Sequence, residues 1–166
     1  MKFAIKFFIL APIVYGYGHA HAITLKQTYL DGKQNVHVVR SDGKDIQVTQ
    51  KGHKANVKLS SDGNTVAWLV SHTWKVEGQT ETGSSELVVY RNGKARTIKC
   101  EPYIRDYWFW KKGSRVAIDC GGAHFAGREI LYDTNTLKEL ETVDQSVVPT
   151  KDRPIWSASS DKYEPD

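Results

Sequence analysis

Residues 36–70 read VHVVRSDGKDIQVTQKGHKANVKLSSDGNTVAWLV, and residues 86–120 read ELVVYRNGKARTIKCEPYIRDYWFWKKGSRVAIDC. Set one above the other, they align without a gap at an offset of fifty. Val38/Val88, Val39/Val89, Gly43/Gly93, Lys44/Lys94, Gly63/Gly113, Val66/Val116 and Ala67/Ala117 are identical. Runs such as Val36-x-Val38 and Val57-x-Leu59 show the period of two expected of strands. The glycines fall in Ser41-Asp42-Gly43-Lys44 and Ser61-Asp62-Gly63-Asn64. There a residue without Cβ supplies positive φ, and the Asp closes the turn through neighbouring backbone bonds. Each copy therefore predicts four short strands, placed in the first at 36–40, 45–49, 55–60 and 65–70. A third copy begins at Glu129, where EILYDTNTLKELE repeats the pattern of ELVVYRNGKARTI, and it fades after Thr142. Beyond it Pro149 and Pro154 break the chain, Ile155-Trp156-Ser157 reads as a last short strand, and 159–166 reads as a polar tail.

Strand quartets of 40–50 residues with a Ser-x-Asp-Gly turn before an apolar strand are a propeller signature. The segment LSSDGNTVAWLV, residues 59–70, resembles the repeat of TolB-type and WD40-like β-propellers, and the resemblance covers about residues 36–142. It implies an all-β fold. A closed propeller needs at least four blades, whereas the length here supplies about three. The expectation is a partial, open β-propeller of about three small antiparallel sheets, or two chains that complete each other, so a monomer or a homodimer.

The first 22 residues stand apart. Lys2 and Lys6 form a basic start, Phe7 to Tyr17 is apolar, and Ala20-His21-Ala22 has the form of an A-x-A cleavage site. This predicts a secretory signal peptide over 1–22, too short for a membrane span, followed by a single domain over 23–158. His19 and His21 would leave with it. Without Lys2 and Lys6, the full chain's 23 basic residues fall to 21 against 19 acidic ones. That balance argues against nucleic acid, which demands a concentrated basic patch. A periplasmic location follows as the expectation. The two cysteines, Cys100 and Cys120, most simply form one disulfide in an exported protein. The alternative takes Cys120 as a thiol nucleophile with His124 as its base.

Two segments look like long loops on one rim. The first is SHTWKVEGQTETGSS, residues 71–85, with Trp74, Thr82, Gly83, Ser84 and Ser85 as candidate partner-binding residues and Glu86 opening the next strand. The second is GGAHFAGR, residues 121–128, with Gly122, His124 and Phe125 as candidates. Both follow the same strand of their copy, and long loops on a rigid scaffold are where binding resides. In RDYWFW, residues 105–110, the repeat places Tyr107 and Phe109 inward. It places Trp108 and Trp110 where the first copy has Lys58 and Ser60, so these two are either packing or an exposed aromatic platform. His37, His53, His72 and His124 lack metal-ligand spacing, and no phosphate-cradling loop or nucleophile elbow appears. No catalytic residue, metal or cofactor is assigned.

A second resemblance concerns function. The stretch LSSDGNTVAWLV, a polar loop, then GSSELVVYRNGKARTI is similar to immunity proteins that protect bacteria from type VI secreted peptidoglycan amidases. It implies a toxin inhibitor that inserts a Ser-rich loop, here Gly83, Ser84 and Ser85, into the active-site cleft of its target. The expected activity is therefore protein binding. A TolB-like periplasmic scaffold or glycan sensor is the alternative, and a thiol hydrolase the second alternative.

Overall fold

The structure is a computed structural model and describes residues 24–122 and 125–165. The signal-peptide reading of 1–22 and the candidate His124 lie outside the described residues.

Eleven strands run through the described residues: β1 (Leu25–Leu30), β2 (Val36–Arg40), β3 (Asp45–Gln47), β4 (Lys54–Leu59), β5 (Thr65–Val76), β6 (Gln79–Arg91), β7 (Lys94–Lys99), β8 (Ile104–Trp110), β9 (Arg115–Cys120), β10 (Arg128–Asp133) and β11 (Glu139–Asp144). They form three antiparallel meanders, β1-β2-β3, β4-β5-β6-β7 and β8-β9-β10-β11, and none of these sheets closes on itself. The all-β, three-sheet expectation holds.

The phase of the repeat differs from the expectation. The four strands of residues 36–70 do not make one sheet: β2 and β3 end the first sheet, and β4 and β5 begin the second. A periodic sequence has no inherent starting point, so its period does not say where one sheet stops. The gapless alignment also slips by one residue at β2. Arg40 N–H donates to the Lys44 carbonyl across a three-residue loop, whereas Arg91 pairs with Lys94 across the two-residue turn Asn92-Gly93. Both residues of that second turn have positive φ, 52° and 74°, as a type I′ hairpin requires. In space Val36 therefore matches Leu87 and Val38 matches Val89, all four fully buried. A shift of one residue exchanges the faces of a strand.

Three cores lie between four layers. Val36 and Val38 of the first sheet pack on Val66 and Trp68 of the second. The other face of the second sheet, with Ala67, Leu69, Leu87, Val89 and Ile98, packs on Tyr107, Phe109, Val116, Ile118 and Ile130 of the third. The outer face of the third sheet packs Trp108, Ala117, Leu131 and Val143 against Trp156, with Val148 and Tyr163 alongside. Each fully buried Val, Leu or Ile contributes about 1.5–3 kcal/mol. Trp108 is thus core and not an exposed platform, and its indole N–H donates to the Trp156 carbonyl at 2.8 Å.

The ends of the stack explain why it stops. The first sheet's outer face carries Gln27, Tyr29, His37, Asp45 and Gln47, with Val39 as a single aliphatic residue among them, a mostly polar surface with no apolar stripe to bury. The third sheet's outer face is covered by the chain after β11. There a 3-10 turn spans Thr150–Asp152, and the buried Arg153 donates to the carbonyls of Val148, Gln145 and Ser159. Residues 155 and 156 form a turn and 157 has no regular structure, so the expected strand is absent there. The segment 159–165, expected as a polar tail, is held at two points: the Ser159 N–H and hydroxyl bind the Glu129 carboxylate, and the Tyr163 ring stands edge-on to Trp108, while Asp161, Lys162, Glu164 and Pro165 are exposed.

Of the repeated glycines, Gly63 and Gly113 sit where neighbouring layers touch, whereas Gly43 and Gly93 face open space. Gly63 has φ 67°, and a Cβ there would lie 2.7 Å from the Leu25 carbonyl oxygen. Gly113 has φ 79°, and a Cβ there would lie 2.3 Å from Ser60 Cβ. The first strands of the two larger sheets also share a bulge, between Ala55 and Lys58 in β4 and between Ile104 and Asp106 in β8. The β4 bulge presents the Asn56 carbonyl to the buried Tyr107 hydroxyl.

Candidate functional site

The segment 71–85, read from sequence as a loop, is a β-ribbon. β5 and β6 stay paired from Thr65↔Arg91 to Val76↔Gln79, and Glu77-Gly78, at φ 49° and 84°, closes a type I′ turn. The alternation Ser-His-Thr-Trp-Lys-Val carries enough β-branched and aromatic character to continue a strand. Its neighbours stop earlier. β4 pairs with β5 no further than Lys54↔Val70, and β7 pairs with β6 no further than Glu86↔Lys99. The ribbon from Ser71 to Ser84 therefore extends as a two-stranded arm beyond the four-stranded sheet. A register shift between Val70 and Ser71 leaves Ser85 as a bulge at its root.

The sequence-assigned residues take different places on this arm. Thr82 is exposed. Gly83 lies beneath Trp74, since a Cβ there would come 2.6 Å from the Trp74 ring. Ser84 is 6% exposed. Ser85 is half-buried, and its carbonyl accepts the Cys100 N–H at 2.9 Å. Glu86 pairs with Lys99 at 3.1 Å. Gly83, Ser84 and Ser85 thus form the root of the arm, and its projecting part is Thr73 to Thr82 around the Glu77-Gly78 tip.

Trp74 is fixed by Tyr103, a residue the sequence reading missed. Their rings stack at 5.2 Å with an interplanar angle of 13°. Tyr103 in turn joins the arm to the second candidate segment, because its carbonyl accepts the Gly121 N–H at 3.1 Å. The disulfide Cys100–Cys120, with Cα atoms 5.9 Å apart, ties the chain after β7, which bonds Ser85 at the root of the arm, to the end of β9, which leads into the second segment. The expected pairing is present, and it leaves no thiolate at Cys120 for nucleophilic chemistry.

Arg105 organises the second segment. Its guanidinium donates to Asp119 and Gln145, both at 2.6 Å, and to the carbonyls of Gly122 and Phe125. The Gln145 side chain also accepts the Gly127 N–H. Gly121 and Gly127 lie where a Cβ would meet Arg105, 3.2 and 2.8 Å from its Nη2. Phe125 folds over Gly122 yet stays 65% exposed. The two segments therefore do share one rim, through Tyr103, Arg105 and the disulfide. The charge pattern of Arg105 gave no signal in the sequence, because its partners lie 14 to 40 residues away.

A groove of about 410 Å³ lies at the root of the arm on the β5 side. Lys51, His53, Lys54, His72 and Thr73 line it. On the outer face of the first sheet, His37 stacks on Tyr29 and lies 3.0 Å from Asp45 and 3.6 Å from Asp31. The Tyr29 hydroxyl, then His37, hold the Asp45 carboxyl below the usual carboxylate range. Among the described residues no group of three or more His, Cys, Asp or Glu side chains is arranged to hold a metal ion. No helix of the described residues is long and apolar enough to cross a membrane.

No family model matches the chain, and no curated protein matches it.

Proposed function

We propose that the protein is an exported, non-enzymatic binding module that engages another protein through the β5–β6 arm and the rim beside it. The arm carries this reading. From Thr73 to Thr82 its pairs extend past all three cores, so the sheets do not need it for packing. A ribbon anchored at its root by Trp74, Tyr103 and the disulfide loses little conformational freedom on docking, so its new bonds are not offset by ordering. The disulfide supports an oxidising compartment, in line with a periplasmic protein. The stack of three small meander sheets supports kinship with partial propellers of the TolB and WD40 type.

The specific occupant we propose is the active-site cleft of a type VI secreted peptidoglycan amidase, with this protein as its immunity partner. The inserted part is then the arm from Thr73 to Thr82, because Ser84 is buried and Gly83 is covered. A variant in which Asn-Gly replaces residues 73–82 closes the hairpin at His72↔Gly83 and spares every core. The full chain should capture amidase-type effectors of the same cell and suppress their peptidoglycan hydrolysis, and the shortened chain should do neither. Retention of capture and suppression by the shortened chain refutes the arm as the binding element.

A further inference from the structure

The two edges of the arm are not alike. On the β6 edge the chain turns back over it: Cys100 bonds Ser85, and Tyr103 reaches Gly83 and Trp74. On the β5 edge β4 falls away, and the last main-chain bond is Ser71 N–H to the His53 carbonyl at 2.9 Å. Backbone groups alternate sides along a strand. Ser71 N–H points toward β4, so the N–H and C=O groups of Thr73 and Lys75 point the same way, along an edge that no described strand pairs. Such an edge is a template for one more strand.

The charged side chains at the root of that edge are lysines. Lys51, His53, Lys54 and His72 line the groove where β4 ends, no acidic residue lines it, and the exposed Lys75 stands further along the edge. We propose that this edge of β5 receives an extended acidic segment of the partner protein as an added strand. Main-chain bonds to Thr73 and Lys75 hold the segment, and Lys51, Lys54 and Lys75 select its carboxylates. This deepens the binding function proposed above and rests on it.

The test uses the full chain and a fluorescent eight-residue peptide alternating threonine or valine with aspartate or glutamate. Two further peptides accompany it, one with lysine at the acidic positions and one N-methylated at alternate backbone nitrogens. By anisotropy at low salt, the acidic peptide should bind at least about tenfold more tightly than either, and K51E/K54E/K75E should invert the preference between acidic and basic peptides. Equal binding of acidic and basic peptides overturns the proposal. So does undiminished binding of the N-methylated peptide, which would show a charged patch without an added strand. The partner effector separates the two levels. If its capture needs the arm but survives K51E/K54E/K75E, the acidic strand is refuted and the binding module stands. If capture survives arm shortening, the binding module itself falls.

Discussion

The second and third sheets are built on the same plan and end against different materials. The second turns Leu87 and Leu69 toward the third sheet, and both are buried among aliphatic and aromatic side chains. The third turns the matching positions, Glu129 and Asp119, toward irregular chain. Glu129 is 1% exposed, and its carboxylate accepts from the Ser157 and Ser159 hydroxyls and the Ser159 N–H. Asp119 accepts from the Gln145 amide of that chain at 3.4 Å and from the Arg105 guanidinium of the neighbouring β8. A sheet laid on a sheet presents mainly side chains, the carbonyls of Asn56 and Ala67 that take the Tyr107 hydroxyl apart, so an apolar position suits most of it. A coil laid on a sheet presents N–H groups and hydroxyls, and these need acceptors when buried. The same position is therefore Val36, Leu87 and Glu129 in successive sheets, according to what covers it.

The strongest way to break this comparison is to exchange the two residues. Leu87→Glu places an unpaired carboxylate between two sheets and should cost at least about 4 kcal/mol of unfolding free energy in urea titration. A loss under about 1 kcal/mol would show that the interface is open to water. Next comes the covalent tie. The double substitution Cys100→Ser and Cys120→Ser should lower stability by about 3 kcal/mol, given the 20-residue separation of the two cysteines. The reverse exchange, Glu129→Leu, should cost about 2 kcal/mol although it adds apolar surface, because Ser157 and Ser159 lose their acceptor. A gain in stability would sink the account of why a carboxylate stands there.

Smaller effects sharpen the contrast at the rim. Gly83→Ala forces Trp74 off its glycine and away from Tyr103. The stacking it loses is worth about 1 kcal/mol, and the Trp74 contribution to near-ultraviolet circular dichroism should fall while the sheets stay intact. The mildest test is pH. Burial opposes ionisation of Asp133, yet bonds from the Thr136 N–H and hydroxyl and the Asn135 N–H, with Arg115 nearby, hold its carboxyl below the usual carboxylate range. A depressed carboxyl stabilises the fold at neutral pH, and that stabilisation is lost as pH falls from the ordinary value through the depressed one. Asp133→Asn should therefore lower the urea midpoint at neutral pH and should differ less from the parent at about pH 3. An equal gap at both would remove Asp133 from the acid response.

The two hairpins that follow the repeated Val-Ala pair, β5–β6 and β9–β10, show how far the sequence could be read. Up to Val70 and Cys120 they run alike, and strand period and turn glycines placed both strands within a residue or two. After those points one continues as Ser-His-Thr-Trp-Lys-Val and stays a ribbon, while the other meets Gly121-Gly122 and curls around Arg105. Polar, small-residue composition made the first look like a loop. An exposed ribbon has no buried face, so it lacks the apolar alternation by which strands are recognised. The basic groove at its root was hidden for another reason: Lys51, His53 and Lys54 meet His72 only once β4 has paired with β5.

The sequence by itself determined what depends on near neighbours and on composition: the strands of the repeated units up to Val70 and Cys120, their positive-φ turns, the duplication and the one pair of cysteines. Tertiary structure alone decided where each sheet stops, which residue the copies skip, what lies over Trp108 and Glu129, and which edge of the arm stays open. The physical reason is that a period of two marks which side chains share a face but not what that face meets. Partners such as Glu129 with Ser157, or Arg105 with Gln145, are set by layers brought together over 28 and 40 residues of chain.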